Sequence, residues 1–384
     1  MHPLKVAARA NVPPFYVMDV LSAANARQRT HGDVVSFAAG QPSTGAPRAV
    51  LEAARAAVGA SGLGYTEQLG IPELRAAIAG HYDRWYGLVV EPDDVVVTTG
   101  SSGGFLLAFL SAFDAGDRVA LTRPGYPAYR NILSALGCEV VELPCLQPTV
   151  EVLAEAGPLD GVIVASPANP TGTVLAAADL AGIAGWCAEH GVQLVSDEIY
   201  HGISYGADTA TAWASARESI VVNSFSKYFG MTGWRLGWLL VPPRLRHAVA
   251  CLTANFTICP PALSQRAAVA AFAEEAYAEL DAHVARYATN RGLLLDGLAR
   301  LGVTGVAPAD GAFYAYADVS HLTTDSMGFC KRLLADTGVA VVPGIDFDPV
   351  DGGRSIRFSF AGATEDVVEG LRRLEPWLGT FGTR

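Results

Sequence analysis

Lysine is scarce in this chain: Lys5, Lys227 and Lys331 are the whole supply. Lys227 ends the run Val221-Val222-Asn223-Ser224-Phe225-Ser226-Lys227, among hydroxyls and aromatic rings. An amine in a partly apolar site loses proton affinity and becomes a usable nucleophile. It can then condense with a carbonyl cofactor as a Schiff base. Taken alone, a lysine on the first turn of a surface helix would be the better reading, so its neighbours decide.

Those neighbours suit an anion and a planar ring. Ser224 and Ser226 offer hydroxyl donors beside the lysine, and Arg235 offers a planar fork of donors to a phosphate dianion. Thr99-Gly100-Ser101-Ser102-Gly103-Gly104 joins a strand to a helix, and N–H groups at a helix start bind phosphate. Tyr126, in Pro124-Gly125-Tyr126-Pro127, follows a strand with a ring able to stack on another. Ser196-Asp197-Glu198-Ile199-Tyr200 follows another strand, and Asn169 sits in Pro167-Ala168-Asn169-Pro170-Thr171-Gly172. Each segment has a plainer reading: a glycine turn, a gap-filling tyrosine, a β-turn asparagine, a helix cap at Asp197, a packed ring at Tyr200. Their shared position outweighs this. All lie at or just past the carboxyl ends of expected strands, where ligands bind in open α/β sheets.

The run Ser224-Phe225-Ser226-Lys227-Tyr228-Phe229-Gly230-Met231-Thr232-Gly233-Trp234-Arg235-Leu236-Gly237 resembles the attachment-site signature of class I aminotransferases. The other segments follow in the order that family shows, from Gly40 to Arg357. The resemblance implies an aspartate aminotransferase-like, fold-type I enzyme dependent on pyridoxal 5′-phosphate. Its fold would be α/β: a large domain with a seven-stranded, mostly parallel sheet flanked by helices, and a small α+β domain from both termini. Lys227 would anchor the cofactor and act as general acid and base. Asp197 would sit under the pyridine nitrogen and keep it protonated. Asn169 and Tyr200 would donate to the phenolic oxygen, Asn169 also to the substrate carboxylate. Tyr126 would stack on the ring, with Ser101, Ser102, Ser224, Ser226 and Arg235 around the phosphate. Gly40, in Ala39-Gly40-Gln41-Pro42, would belong to a loop closing over the substrate. Arg357, in Ile356-Arg357-Phe358-Ser359, would clamp the substrate α-carboxylate through a bidentate pair. Tyr65, in Gly64-Tyr65-Thr66, would reach the phosphate of a neighbouring subunit, which makes a homodimer the working unit. The implied reaction moves an amino group from an L-amino acid to a 2-oxo acid with ping-pong kinetics. No metal enters this scheme.

One departure bears on the substrate. A bacterial branch of aspartate aminotransferases carries a lysine for the side-chain carboxylate where Ser102 stands here. Burying a second carboxylate without a cation is costly. Phe15, Tyr16 and Phe256 are apolar candidates for that pocket. The expected donor is therefore neutral: valine, alanine or an aromatic amino acid. Transfer from aspartate is the alternative, and a C–S lyase on the same scaffold is the second.

The elements that must position these residues are legible as a pattern. Short apolar runs at 95–99, 119–122, 139–143, 161–165, 193–196, 220–223 and 237–241 read as buried strands. Helical patterns at 105–112, 129–136 and 180–190 lie between them, the last two stopped by Gly137 and Gly191. Residues 49–276 are expected to form the large domain. Residues 1–48, a Pro- and Gly-punctuated arm, and 277–384 are expected to form the small one. The latter has a long helix at 277–301, strands at 313–317, 339–342 and 355–360, and a closing helix at 365–378.

Composition sets the outer bounds. The 384 residues are 51% hydrophobic and 17% charged, enough for substantial cores and unlike a disordered polyelectrolyte. A net charge of −11 argues against nucleic-acid and anionic-membrane partners. A regulator on this scaffold would need a DNA-binding module ahead of it, and only about 40 residues precede Gly40. The six cysteines lack C-x-x-C spacing, which disfavours zinc, and most lie in apolar segments that read as sites of reduced, buried thiols. With no leader-like or membrane-spanning apolar stretch, a cytoplasmic enzyme is expected.

Overall fold

The computed structural model describes residues 4–60 and 62–381. Twelve strands are defined among them. Val35–Ser36 (β1) pairs in parallel with Val339–Ala340 (β10). Seven strands form the main sheet: Val95–Thr98 (β2), Arg118–Thr122 (β3), Glu139–Leu143 (β4), Gly161–Ala165 (β5), Gln193–Asp197 (β6), Ile220–Ser224 (β7) and Gly237–Leu240 (β8). Tyr314–Asp318 (β9), Val342–Pro343 (β11) and Ser355–Ser359 (β12) form an antiparallel sheet in the order β11-β12-β9.

The main sheet runs β2-β8-β7-β6-β5-β3-β4. Only β8 is antiparallel to its neighbours. Its strands read as unbroken apolar runs because both faces are buried, and successive side chains enter different cores. Val95, Val97, Val162, Val164, Val221 and Leu240 face one core with Leu74, Ile78, Leu180 and Ile183. Val96, Val119, Leu121, Ile163, Val195, Val222 and Leu239 face the other with Phe105, Phe109, Leu133 and Val249. Helices Pro72–Tyr86 and Ala177–His190 supply the first layer; Gly100–Ala112, Pro127–Leu136 and Pro243–Phe256 supply the second. From β3 the chain goes outward to β4 and then returns to β5 on the other side of β3. The carboxyl ends of β3 and β5 therefore flank a topological switch point, where α/β sheets open a crevice.

One expectation changes. The 339–342 run is not one strand: the chain crosses between sheets at Val341, so β10 pairs with β1 and β11 with β12. Within the arm, Tyr16–His31 is helical. The long helix spans Glu274–Arg300 and the closing one Thr364–Gly379. No helix among the described residues is long and apolar enough to cross a membrane.

Candidate active site

A cleft of about 290 Å³ opens at the carboxyl ends of β3, β5, β6 and β7. It is lined by Gly40, Ser101, Ser102, Tyr126, Asn169, Asp197, Tyr200, Ser226, Lys227, Arg235 and Arg357, residues that span most of the chain.

Lys227 stands in the turn after β7. Its Nζ donates to the Gly40 carbonyl at 2.6 Å, and lies 5.5 Å from the Tyr200 ring centroid and 5.9 Å from that of Phe313. Burial first, then the Arg357 charge, lowers its pKa to about 8, against an opposing pull from Asp197. The amine is thus available in its neutral, nucleophilic form close to neutrality.

Asp197 ends β6, buried. It accepts from the Ile199 N–H at 3.1 Å and from the Tyr129 hydroxyl. Burial raises its pKa to about 6 in spite of both bonds and of Lys227. A carboxylate so placed gains from a cationic partner on its open side. A protonated pyridine nitrogen has that character.

An end of the cleft suited to an anion is built at helix Gly100–Ala112. Its first turn carries Ser101 and Ser102, and no side chain caps its N–H groups. Arg235 leans over that turn. Gly100 has φ +73°, and a Cβ there would stand 2.5 Å from Arg235 Nη2, so the approach requires glycine. Arg235 is itself held at φ 52°, a left-handed conformation that bulky residues seldom adopt. Ser226 faces the same space, whereas Ser224 does not. The Ser224 hydroxyl donates to Ser226 Oγ at 3.0 Å and to the Leu236 carbonyl at 3.3 Å, and accepts from the Ser226 N–H at 3.1 Å. Ser224 thus also shapes the turn that carries Ser226 and Lys227.

Arg357, on β12, is 2% exposed. Nη1 donates to Asn169 Oδ1 and Nη2 to the Ala38 carbonyl, each at 3.0 Å. Nε has no partner, and no carboxylate of the described residues pairs with this guanidinium. Its charge lies 4.2 Å from the Tyr314 ring centroid and 4.8 Å from that of Phe347. A buried cation with a donor to spare is suited to an incoming carboxylate. Tyr65 is 83% exposed and takes no part in the lining of its own cleft.

The sequence reading missed several lining residues. Tyr129 lies one helical turn from Tyr126, and that three-residue spacing was its available signal. Tyr314 bonds Tyr200 through their hydroxyls at 2.7 Å, and a Cβ on Gly40 would stand 2.5 Å from its oxygen. Nothing local in a buried strand announces that role. Of the apolar candidates, Phe15 lines the cleft, Tyr16 does not, and Phe256 is exposed at the end of its own helix. Val17, Met18 and Leu21 complete the apolar wall from the arm helix.

Comparison with known proteins agrees with this geometry. Residues 32–374 match the family model described as aminotransferase class I and II. Valine–pyruvate aminotransferase of Mycobacterium tuberculosis is 64% identical over 97% of this chain and 98% of its own. Aspartate/prephenate aminotransferase of Thermus thermophilus is 34% identical over 90% and 91%. A crystal structure of an aminotransferase from Mycobacterium tuberculosis superposes with a TM-score of 0.97 at 63% identity, covering 98% of this chain and 100% of the other. With a seven-stranded sheet, a switch-point cleft and relatives of this likeness, the chain belongs to the class I and II aminotransferases.

Proposed function

We propose that this aminotransferase takes a neutral α-amino acid as donor, with valine favoured, and pyruvate as its partner 2-oxo acid. The observation that carries this reading is a count of charges. Lys227, Arg235 and Arg357 are the cations of the cleft lining. One suits the cofactor's carbonyl, one its phosphate and one the substrate α-carboxylate, so a second carboxylate has no partner. The apolar part of the lining includes Phe15, Val17, Met18 and Leu21, which suits a branched aliphatic side chain. The name of the 64%-identical relative supports the same donor and acceptor.

Enzymes of this family use pyridoxal phosphate, and the residues present fit it. Lys227 would hold it, Asp197 would face its ring nitrogen, and Tyr126 its ring. Ser101, Ser102, Ser226 and Arg235 would hold its phosphate, and Asn169 and Tyr200 its phenolic oxygen. When bound, the cofactor supplies an aldehyde for the donor amine and an electron sink for the pair left at Cα. Arg357 and Asn169 fix the α-carboxylate and so aim the Cα–H bond. Lys227 Nζ takes the α-proton, aided by a pKa of about 8. The apolar wall excludes water while that proton is in transit. Tyr65, exposed beside Leu63 on its own surface, would complete the site of a second copy, which makes the working form a homodimer. All six cysteines are free, which supports a reducing, cytoplasmic setting.

The test is spectral. The protein is loaded with pyridoxal phosphate and given valine, alanine, an aromatic amino acid or aspartate in turn. Valine should bleach the yellow form fastest and yield one keto acid per amino group. Fastest bleaching by aspartate would overturn the donor assignment, and ammonia release without acceptor would point to an eliminating lyase.

A further inference from the structure

We propose that Asp346 is a positioning residue for donor side-chain discrimination, acting through the arm helix Tyr16–His31. The proposal rests on reading the cleft as the donor site.

The arm helix begins without a cap of its own. Its flanking residue is Phe15, which has no side-chain acceptor for the first N–H groups. The acceptor comes from the far end of the chain. Asp346 Oδ2 accepts from the Val17 N–H at 2.9 Å, and Oδ1 from the Tyr16 N–H at 3.3 Å. One carboxylate thus satisfies two orphan donors and sets a negative charge against the positive end of the helix. Among the described residues no arginine or lysine pairs with it within salt-bridge distance, so the helix end is its principal partner.

Asp346 is itself held firmly. It is 2% exposed and closes the short helical turn Gly344–Asp346 directly after β11. Within β11, Val342 lies opposite Arg357 on β12. The Asp346 carbonyl accepts from Arg130 on helix Pro127–Leu136 at 3.3 Å. The Gly125 N–H, next to Tyr126, donates to the Phe347 carbonyl at 3.1 Å. One short segment therefore ties together the α-carboxylate clamp, the ring-stacking tyrosine and the arm helix.

The consequence is geometric. Val17 and Leu21 lie one turn apart on the arm helix and, with Met18, line the same cleft as Arg357. The distance between clamp and wall sets how large a side chain fits, and the Asp346 carboxylate is the hydrogen-bonded link from the segment after β11 to the start of that wall. A donor with a single methyl leaves the wall largely untouched; a branched one needs it in place.

The test uses Asp346→Asn, which keeps the shape and loses the charge, with Leu21→Ala as a second variant that trims the wall and leaves the cap intact. Rates of the amino-donor half-reaction are measured with alanine, 2-aminobutyrate, valine and leucine. Hydrogen exchange at residues 16–31 is followed in the cofactor-free protein. For Asp346→Asn, kcat/KM should fall about tenfold or more for valine and under threefold for alanine, with faster exchange at Tyr16 and Val17. Leu21→Ala should also lower the valine-to-alanine ratio. An equal loss across all four donors in Asp346→Asn, an unchanged ratio in either variant, or unchanged exchange would each overturn the proposal. If the wild type reacts with aspartate and with none of these four, the donor reading fails instead, and the anchoring role is decided by the exchange data alone.

Discussion

Asp197 is held in the folded protein under conditions that favour its protonated form. Burial raises its pKa from 3.8 to about 6, so folding favours the neutral acid. The resulting destabilisation is present in full above about pH 6, shrinks as pH falls below that, and vanishes below the unfolded value. Cofactor-free Asp197→Asn should therefore be more stable than the wild type at pH 8, by on the order of 1–3 kcal/mol, and melt at a higher temperature. The gap should narrow towards pH 4, which thermal melts at both pH values would check. Lys227 shifts in the other direction. Its lowered pKa means that the neutral amine predominates above about pH 8 rather than above the ordinary value of 10.5. The rate at which cofactor-free protein captures pyridoxal phosphate should climb to a plateau through about pH 8, read as growth of the yellow absorbance. Both residues were legible in the sequence because their motifs are local. Tyr129 and Tyr314 were not, because their parts are set by what folding brings alongside.

Among the elements, helix Gly100–Ala112 is the one most exposed to a single change. Replacing Gly100 by alanine forces a side chain into φ +73° and against Arg235. Gly100→Ala should raise the Kd for pyridoxal phosphate about tenfold or more while the protein remains folded, as a fluorescence titration would show. The seven main strands were legible because double-sided burial writes continuous Val, Ile and Leu runs. The arm helix was not, because its start is fixed by a carboxylate 329 residues from Val17. The 339–342 run carried no mark of the change of sheet at Val341, since both of its halves are equally apolar.

For the molecule as a whole, the division at 48/49 and 276/277 is our proposal for where two units meet, although helix Glu274–Arg300 begins before it. The homodimer reading makes a sharper prediction. Neither Lys227→Ala nor Tyr65→Ala should give a fully working site alone. Mixing the two after mild dissociation should restore activity, because one site in each hybrid would combine Lys227 from one protomer with Tyr65 from the other. Continued inactivity of verified hybrids would show that each cleft is self-sufficient.

The pairing of Arg357 with the Ala38 carbonyl joins residues 319 positions apart. A ribosome adding about 5–20 residues per second takes roughly 15–65 s to travel between them. The main sheet is complete by Leu240 and with it the Lys227, Asp197 and Arg235 positions. The residues proposed to hold the cofactor are therefore all translated before the proposed clamp for the amino acid. Order of synthesis thus runs from cofactor residues to substrate residue along a single chain.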